Sequence, residues 1–259
     1  MNNFVDVYSG EPVVVRSSGS AVRTAVLGYS LLTYVVGMSG LCWLILAMGG
    51  LLPYGFGPIQ TGSVLSGILV NAGLIGLFGI QHTVMARKPF KRWLVTYLPE
   101  EVERPTFVLV SGLIMALIVW CWQPLPGTVW SVEDSVLKIF LYTLFAAGWG
   151  YFVLATFVTN HFELFGLRRA YYYFKDVPYV PVQFVNKYMY RYSRHPMMLG
   201  ILVGMWATPE MSVTHFILAL FLSNYIFIGM NFEEKDLLAD FGETYREYRD
   251  NIGKFFTIK

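Results

Sequence analysis

The sequence predicts an all-α integral membrane helical bundle of about five to six transmembrane segments, including a C-terminal helical hairpin, with an amphipathic cytoplasmic tail helix. Three observations lead there. Of 259 residues, 55% are hydrophobic and only 14% charged, against about 25% charged in a soluble domain. Apolar runs recur at the length of about 20 residues that a helix needs to cross a bilayer. Lys and Arg occupy alternate connecting segments, as they do when cytoplasmic loops retain positive charge.

Spans are predicted at residues 25–50, 63–85, 106–123 and 136–159, followed by an apolar region at 197–231. Pro209, Glu210 and Ser212 interrupt that region, so it reads as a hairpin with a 12-residue limb (197–208) and a 19-residue limb (213–231). At 1.5 Å per residue the first limb reaches about 18 Å, short of the roughly 30 Å hydrocarbon core. Arg16 and Arg23 precede the first span, and Arg87, Lys88, Lys91, Arg92 and Arg104 lie between the second and third. Six more cations fall in 160–196 and five after residue 231, while the loops at 51–62, 124–135 and 209–212 hold none. Both termini are therefore expected in the cytoplasm. Residues 1–24 read as a cytoplasmic N-terminal segment before an uncleaved first helix, and residues 25–259 as a single membrane domain.

Net charge of +2 excludes a polybasic nucleic-acid binder. Cys42 and Cys121 both sit in apolar runs, which leaves no disulfide framework and no Cys-rich zinc site. Gly55-Phe56-Gly57 lacks the third glycine of a dinucleotide fingerprint. No sequence feature specifies an oligomeric state.

Polar chemistry collects at the cytoplasmic ends of the helices. His82 ends the second span, His161 follows the fourth and His195 precedes the hairpin, whereas His215 begins the last limb on the opposite side. A single interfacial histidine ordinarily hydrogen-bonds a helix end; three at one level permit a joint role. No His-x-x-x-His or Glu-x-x-His spacing puts two ligands on one helical face, so no metal is expected. Pro196 suits a first helical turn, placing Arg194 and His195 at a helix N-terminus that favours anionic groups. Gly200 and Gly204 form a Gly-x-x-x-Gly pair that lets a neighbouring helix approach closely. Downstream, Glu233 and Glu234 leave the membrane, and Glu234, Leu237, Leu238, Phe241, Tyr245 and Tyr248 recur at helical steps. The glutamates are either solvated or face Arg194 and His195 across the hairpin to grip a cationic or ribose-bearing ligand.

Arg194-His195-Pro196-x-x-x-Gly200, an apolar hairpin, Glu233-Glu234-x-x-Leu237, then Phe241-Gly242-x-x-Tyr245-x-x-Tyr248 resembles the C-terminal pattern of the isoprenylcysteine carboxyl methyltransferase family. That match covers about a fifth of the chain. The family commonly carries Tyr where this chain has Met198, which puts one aromatic contact in question. Gln81-His82-Thr83-Val84-Met85-Ala86-Arg87 and Thr159-Asn160-His161-Phe162-Glu163-Leu164-Phe165-Gly166-Leu167-Arg168 are similar to segments of the bacterial methanethiol S-methyltransferases.

The resemblance implies methyl transfer from S-adenosylmethionine to methanethiol, or a similar small thiol, at the cytoplasmic face of a bacterial inner membrane. It assigns Arg194, His195, Gly200 and Glu233 or Glu234 to the S-adenosylmethionine site, within about 160–252, with Tyr245 and Tyr248 closing it. Thiolate is the nucleophile, so the acceptor needs a base or an anion-stabilising group; His161 is chosen as base, with Arg168 or His82 as electrostatic support. Seven tyrosines between residues 162 and 192 read chiefly as an interfacial belt, some of them as a lid over the thiol pocket. The alternatives are another thiol or a prenylcysteine carboxylate as acceptor, an NADPH-dependent membrane reductase of related fold, or a non-catalytic scaffold or transporter. The last is disfavoured because the spans hold no ionisable residue near their centres.

Overall fold

A computed structural model describes residues 19–57, 62–182 and 184–257; Arg16 and most of the N-terminal segment lie outside them. Five helices are long and apolar enough to cross a membrane, which makes this a multi-pass membrane protein of all-α architecture. They are α1 (Ser20–Met48), α2 (Val64–Ala86), α4 (Glu103–Cys121, entered through a 3-10 turn), α5 (Ser135–Val158) and α9 (Val213–Phe241). Shorter helices are α3 (Lys88–Leu94), α6 (His161–Leu164), α7 (Leu167–Lys175), α8 (Pro196–Trp206) and α10 (Glu243–Asn251).

The first helix begins at Ser20, five residues before the predicted span, because the Ser20–Thr24 stretch continues the helical turn. The last membrane helix departs further. It runs unbroken through Glu233 and Glu234 to Phe241, where Gly242, at φ 55°, turns the chain into α10. The amphipathic segment predicted after residue 231 is thus divided: its first half is the end of α9, and only residues 243–251 form a separate helix.

Glycines set the two tightest helix contacts. Gly37 and Gly40 of α1 lie against Gly112 of α4, where a Cβ on Gly112 would collide with the Gly37 Cα and come within 2.7 Å of its carbonyl oxygen. Likewise Gly148 of α5 meets α8 so closely that an added Cβ would lie 2.6 Å from Gly204 N and 2.9 Å from Gly200 O. In hydrocarbon, where lipid tails are as apolar as leucine, such close approach gains dispersion contacts that lipid cannot match.

Between these seams Met48, Leu74, Phe78, Ile118, Trp122, Phe145, Trp149, Met205 and Leu218 form one core. Buried Asn71 of α2 accepts from Gln123 N (2.7 Å) and donates to Gln123 O (2.9 Å), satisfying the backbone beyond the end of α4. At the end away from the basic loops, β1 (Thr128–Ser131) pairs antiparallel with β2 (Glu210–Ser212), with a register irregularity between Thr128 and Trp130. This ribbon caps the turn between α8 and α9. Since α8 has only 11 residues, about 16 Å of helix, it is too short to cross the roughly 30 Å hydrocarbon core.

Gly112→Val is expected to overpack the α1–α4 seam and cost about 1–3 kcal/mol, whereas Gly28→Ala, with nothing within 4 Å of the added carbon, should be neutral. Thermal unfolding in detergent measures both; equal midpoints would remove the close-packed seam.

Candidate active site

At the basic end of the bundle, the start of α8 meets the polar extension of α9. Pro196 occupies the first turn of α8 and His195 its N-cap. The preceding backbone is fixed by the chain's last described residues: Arg194 N donates to Gly253 O (3.0 Å), His195 N to Lys254 O (3.1 Å) and Ser193 Oγ to Lys254 O (2.9 Å). Thr257 Oγ1 donates back to Tyr192 O (3.0 Å). Residues 253–257 thus clasp residues 192–195 and orient Arg194 and His195.

Both side chains converge on α9. His195 Nε2 lies 2.9 Å from Glu234 Oε1 and its Nδ1 3.4 Å from Glu233 Oε2. Arg194 Nη2 lies 3.3 Å from the same Glu234 oxygen, and its Nη1 donates to Arg249 O at 3.3 Å. Burial alone would lower the His195 pKa; hydrogen bonds and charge from Glu233, then Glu234, outweigh it and raise the value above 6.5. With both ring nitrogens facing carboxylates the imidazolium is the favoured form, so two cations face two anions. The His195 side chain is 2% exposed and Glu234 14%, but Glu233 is 42% exposed. One carboxylate is thus committed inside while its neighbour opens outward.

Tyr245 and Tyr248 of α10 lie beside this cluster. Tyr248 Oη donates to Tyr190 O (2.6 Å), and Phe184 packs edge-on against both tyrosine rings. Burial, then the negative charge of Glu234, pushes the Tyr245 phenol up to about 12, so it remains a donor. Its hydroxyl and Arg194 Nε are buried without a hydrogen-bond partner among the described residues. Buried donors without acceptors are costly, and a native protein normally supplies a partner from outside.

Gly200, by contrast, lies at the α5 seam: a Cβ there would come within 2.6 Å of Phe152 N and 2.7 Å of Gly148 O. Its role in the geometry is to bring α8 onto α5, one turn beyond His195.

The other two histidines have separate surroundings. The Thr156 hydroxyl donates to Val153 O at 2.6 Å, so at 2.8 Å it accepts from His161 Nδ1–H, leaving Nε2 to accept from Tyr34 at 2.7 Å. Phe157 stacks on the His161 ring at 4.4 Å between centroids. Burial lowers the His161 pKa and keeps it neutral. His82 lies 3.2 Å from Ser111 Oγ amid Phe78, Phe107 and Tyr225. Arg168 lies 3.3 Å from Glu163 and 4.9 Å from the Tyr172 ring, while Glu163 also accepts from Tyr179. Among the described residues no cluster of His, Cys, Asp or Glu can hold a metal ion. Sequence reasoning missed the 253–257 clasp and Tyr34, and took Tyr190 only as one of the seven tyrosines of the belt or lid. Gly253 after the tail helix is the one local signal that foreshadows the first.

Fold and site define a multi-pass membrane protein with a buried, ion-paired polar site at the basic end of its bundle. A family model described as NnrU protein matches residues 69–229. The chain is 38% identical to a methanethiol S-methyltransferase of Crocosphaera subtropica, over 89% of this chain and 91% of that one. It is 42% identical to the protein of that name from Pseudomonas deceptionensis, over 92% of each chain. With the Mycobacterium tuberculosis methanethiol S-methyltransferase it shares 42% identity over 71% of this chain and 76% of the relative. The chain belongs to the NnrU protein family and to the methanethiol S-methyltransferases. No solved structure matches it.

Because His195 binds its proton more tightly folded than unfolded, its contribution to stability is complete below about pH 6.5 and is lost as pH rises through the raised value. The melting temperature should therefore fall above pH 6.5 more steeply in the wild type than in His195→Gln. Parallel profiles would show that the imidazole carries no linked proton.

Proposed function

We propose that the protein transfers the methyl group of S-adenosylmethionine to methanethiol, yielding dimethyl sulfide and S-adenosylhomocysteine, with its site facing the cytoplasm of a bacterial inner membrane. The observation that carries this reading is the charge-balanced Arg194–His195–Glu233–Glu234 cluster with two buried, unpartnered donors beside it. Its residues fit the donor molecule: Glu233 suits an ammonium or ribose hydroxyl, and Arg194 Nε and Tyr245 Oη suit a carboxylate or ribose oxygen. Bound there, S-adenosylmethionine would supply a sulfonium-activated methyl group. The family membership supports a thiol as acceptor, and the basic loops support the cytoplasmic orientation.

In this reading Glu234 holds Arg194 and His195 in place, Glu233 meets the ligand, and Tyr245 and Tyr248 close the site, all within residues 160–252. Gly200 belongs to the same site by bringing α8 against α5. Neutral His161 receives the thiol proton through the Tyr34 hydroxyl that rests on its Nε2. Arg168 and His82 support the acceptor side electrostatically. The short α8 brings the site close to lipid, so that an apolar thiol enters from the bilayer and the charged methyl donor from the cytosol.

Headspace analysis of membranes given S-adenosylmethionine and methanethiol tests the reaction, with dimethyl sulfide as the expected product. In detergent, S-adenosylhomocysteine should raise the melting temperature, and His195→Ala or Glu234→Ala should weaken that binding at least tenfold more than His215→Ala. Equal effects would displace the site.

His161→Ala should slow thiol methylation by about 10²–10⁴, the range for a removed general base, with S-adenosylhomocysteine affinity nearly unchanged. Retained turnover with weakened cofactor binding would make His161 a structural tie between α1 and α5.

A further inference from the structure

Tyr190 is the residue of this region that neither the motifs nor the reading above employs. It lies on the 3-10 turn Tyr188–Arg191, 7% exposed, in a stretch where Tyr188 and Tyr192 project into solvent at 74% and 66%. Its carbonyl is held by Tyr248 at 2.6 Å, and the clasp that orients His195 begins two residues later, so the ring is fixed. Its hydroxyl has no hydrogen-bond partner among the described residues. The Thr159 hydroxyl is close enough to act on the Tyr190 oxygen as a donor, but its proton is directed to the carbonyls of Ala155 and Thr156 at 3.2 Å, and the Tyr190 O–H itself has no acceptor within hydrogen-bond geometry among the described residues.

The polar groups in the neighbourhood of that hydroxyl are Glu233 on α9, Tyr248 on α10, Tyr151 on α5 and Thr159 at the C-cap of α5. Tyr190 therefore occupies the α5 side of the acidic pair, with Arg194 and Tyr245 on the α10 side. Thr159 is two residues from His161, the first residue of α6 and the proposed base, so the Tyr190 hydroxyl has both the acidic pair and the α5–α6 junction in its neighbourhood. A donor left unpaired in such a place costs stability unless a ligand accepts from it.

We propose that Tyr190 donates its phenolic O–H to the sulfur of the acceptor thiolate, holding the nucleophile between α5 and the acidic pair. This rests on the thiol-methylation reading above and adds the residue that grips the acceptor. The thiol proton goes to the base, the thiolate sulfur bonds to the methyl carbon, and the carbon–sulfonium bond breaks with its electron pair staying on the departing sulfur. Tyr190 keeps its proton throughout, because burial, and then the negative charge of Glu233, raises its pKa.

Such a contact helps despite stabilising the anion. Each unit by which it lowers the thiol pKa raises the thiolate fraction tenfold below that pKa, while nucleophilicity falls only about threefold, given a Brønsted slope of about 0.4–0.5. Positioning of the sulfur adds to this gain.

The test uses the full-length protein in detergent, with methanethiol as acceptor and S-adenosylhomocysteine as binding probe. Tyr190→Phe should retain S-adenosylhomocysteine affinity within about twofold, lose about 10- to 100-fold in kcat/KM for methanethiol at neutral pH, and move the rising limb of the rate–pH profile up by about one unit. Tyr188→Phe, on the exposed face, should leave all three unchanged. Replacement of Tyr190 by 3-fluorotyrosine, a stronger donor of nearly equal size, should move the limb down, and this keeps the inference testable where Tyr190→Phe fails to fold. Turnover and limb position in both variants matching the wild type would overturn the inference, as would loss of S-adenosylhomocysteine binding with kcat preserved. A wild type that binds S-adenosylhomocysteine but methylates no thiol would instead overturn the reading on which it rests.

Discussion

A guanidinium and an imidazolium share one carboxylate oxygen of Glu234 at the edge of the bundle, and the surrounding polar structure serves to keep them there. Removing either cations or carboxylates from water costs several kcal/mol per ion, recovered only when geometry and hydrogen bonding are nearly complete. That requirement explains the clasp. Backbone donation from Arg194 and His195 to Gly253 and Lys254 leaves the side chains as the variable part, and α9 brings both acids to them on one rigid helix. The arrangement is charge-balanced yet incomplete, with one acid partly exposed and two donors unpaired, so it is suited to a ligand that bears both signs of charge.

The glycine seams make this possible from within the membrane. Glu233 and Glu234 project from a helix that starts at the ribbon-capped opposite end, and α8 places His195 correctly only if α8 lies against α5 at backbone contact distance. A Cβ at Gly148, Gly200 or Gly204 would meet main-chain or indole atoms at 2.6–3.0 Å, so a displacement deep in the bundle would be transmitted to the site through α8. Stability and cofactor geometry are therefore expected to respond together along this seam, and independently of it along the α1–α4 seam.

Much of this was legible in the sequence. Apolar run lengths located every spanning helix, because hydrocarbon thickness leaves little freedom, and Pro209 and Ser212 marked the hairpin. The family resemblance from Arg194 to Tyr248 pointed to Arg194, His195, Glu233 and Glu234 together, whereas spacing alone left the glutamates either solvated or facing the two cations across the hairpin. Three things were not legible. The helix past Asn231 continues because leaving the membrane does not stop hydrogen bonding along a helix; only Gly242 does. Strands of four and three residues in separate loops carry no periodicity to read. The partners of His161 come from Thr156 nearby and from Tyr34, 127 residues away, a distance at which sequence offers no local cue. Tyr190 was hidden for the opposite reason, as one of seven tyrosines whose burial alone separates it from its neighbours.

The central claim is that the ion-paired cluster beside Tyr245 is where the methyl donor binds. A structure of the protein with S-adenosylhomocysteine tests it most directly. The account predicts ligand density within hydrogen-bond distance of Glu233, Arg194 Nε and Tyr245 Oη, with the ligand sulfur turned toward Tyr190 and α5. Density confined to the open surface cleft lined by Lys187, Arg191, Glu247 and Asn251, with those donors still unpaired, would contradict it.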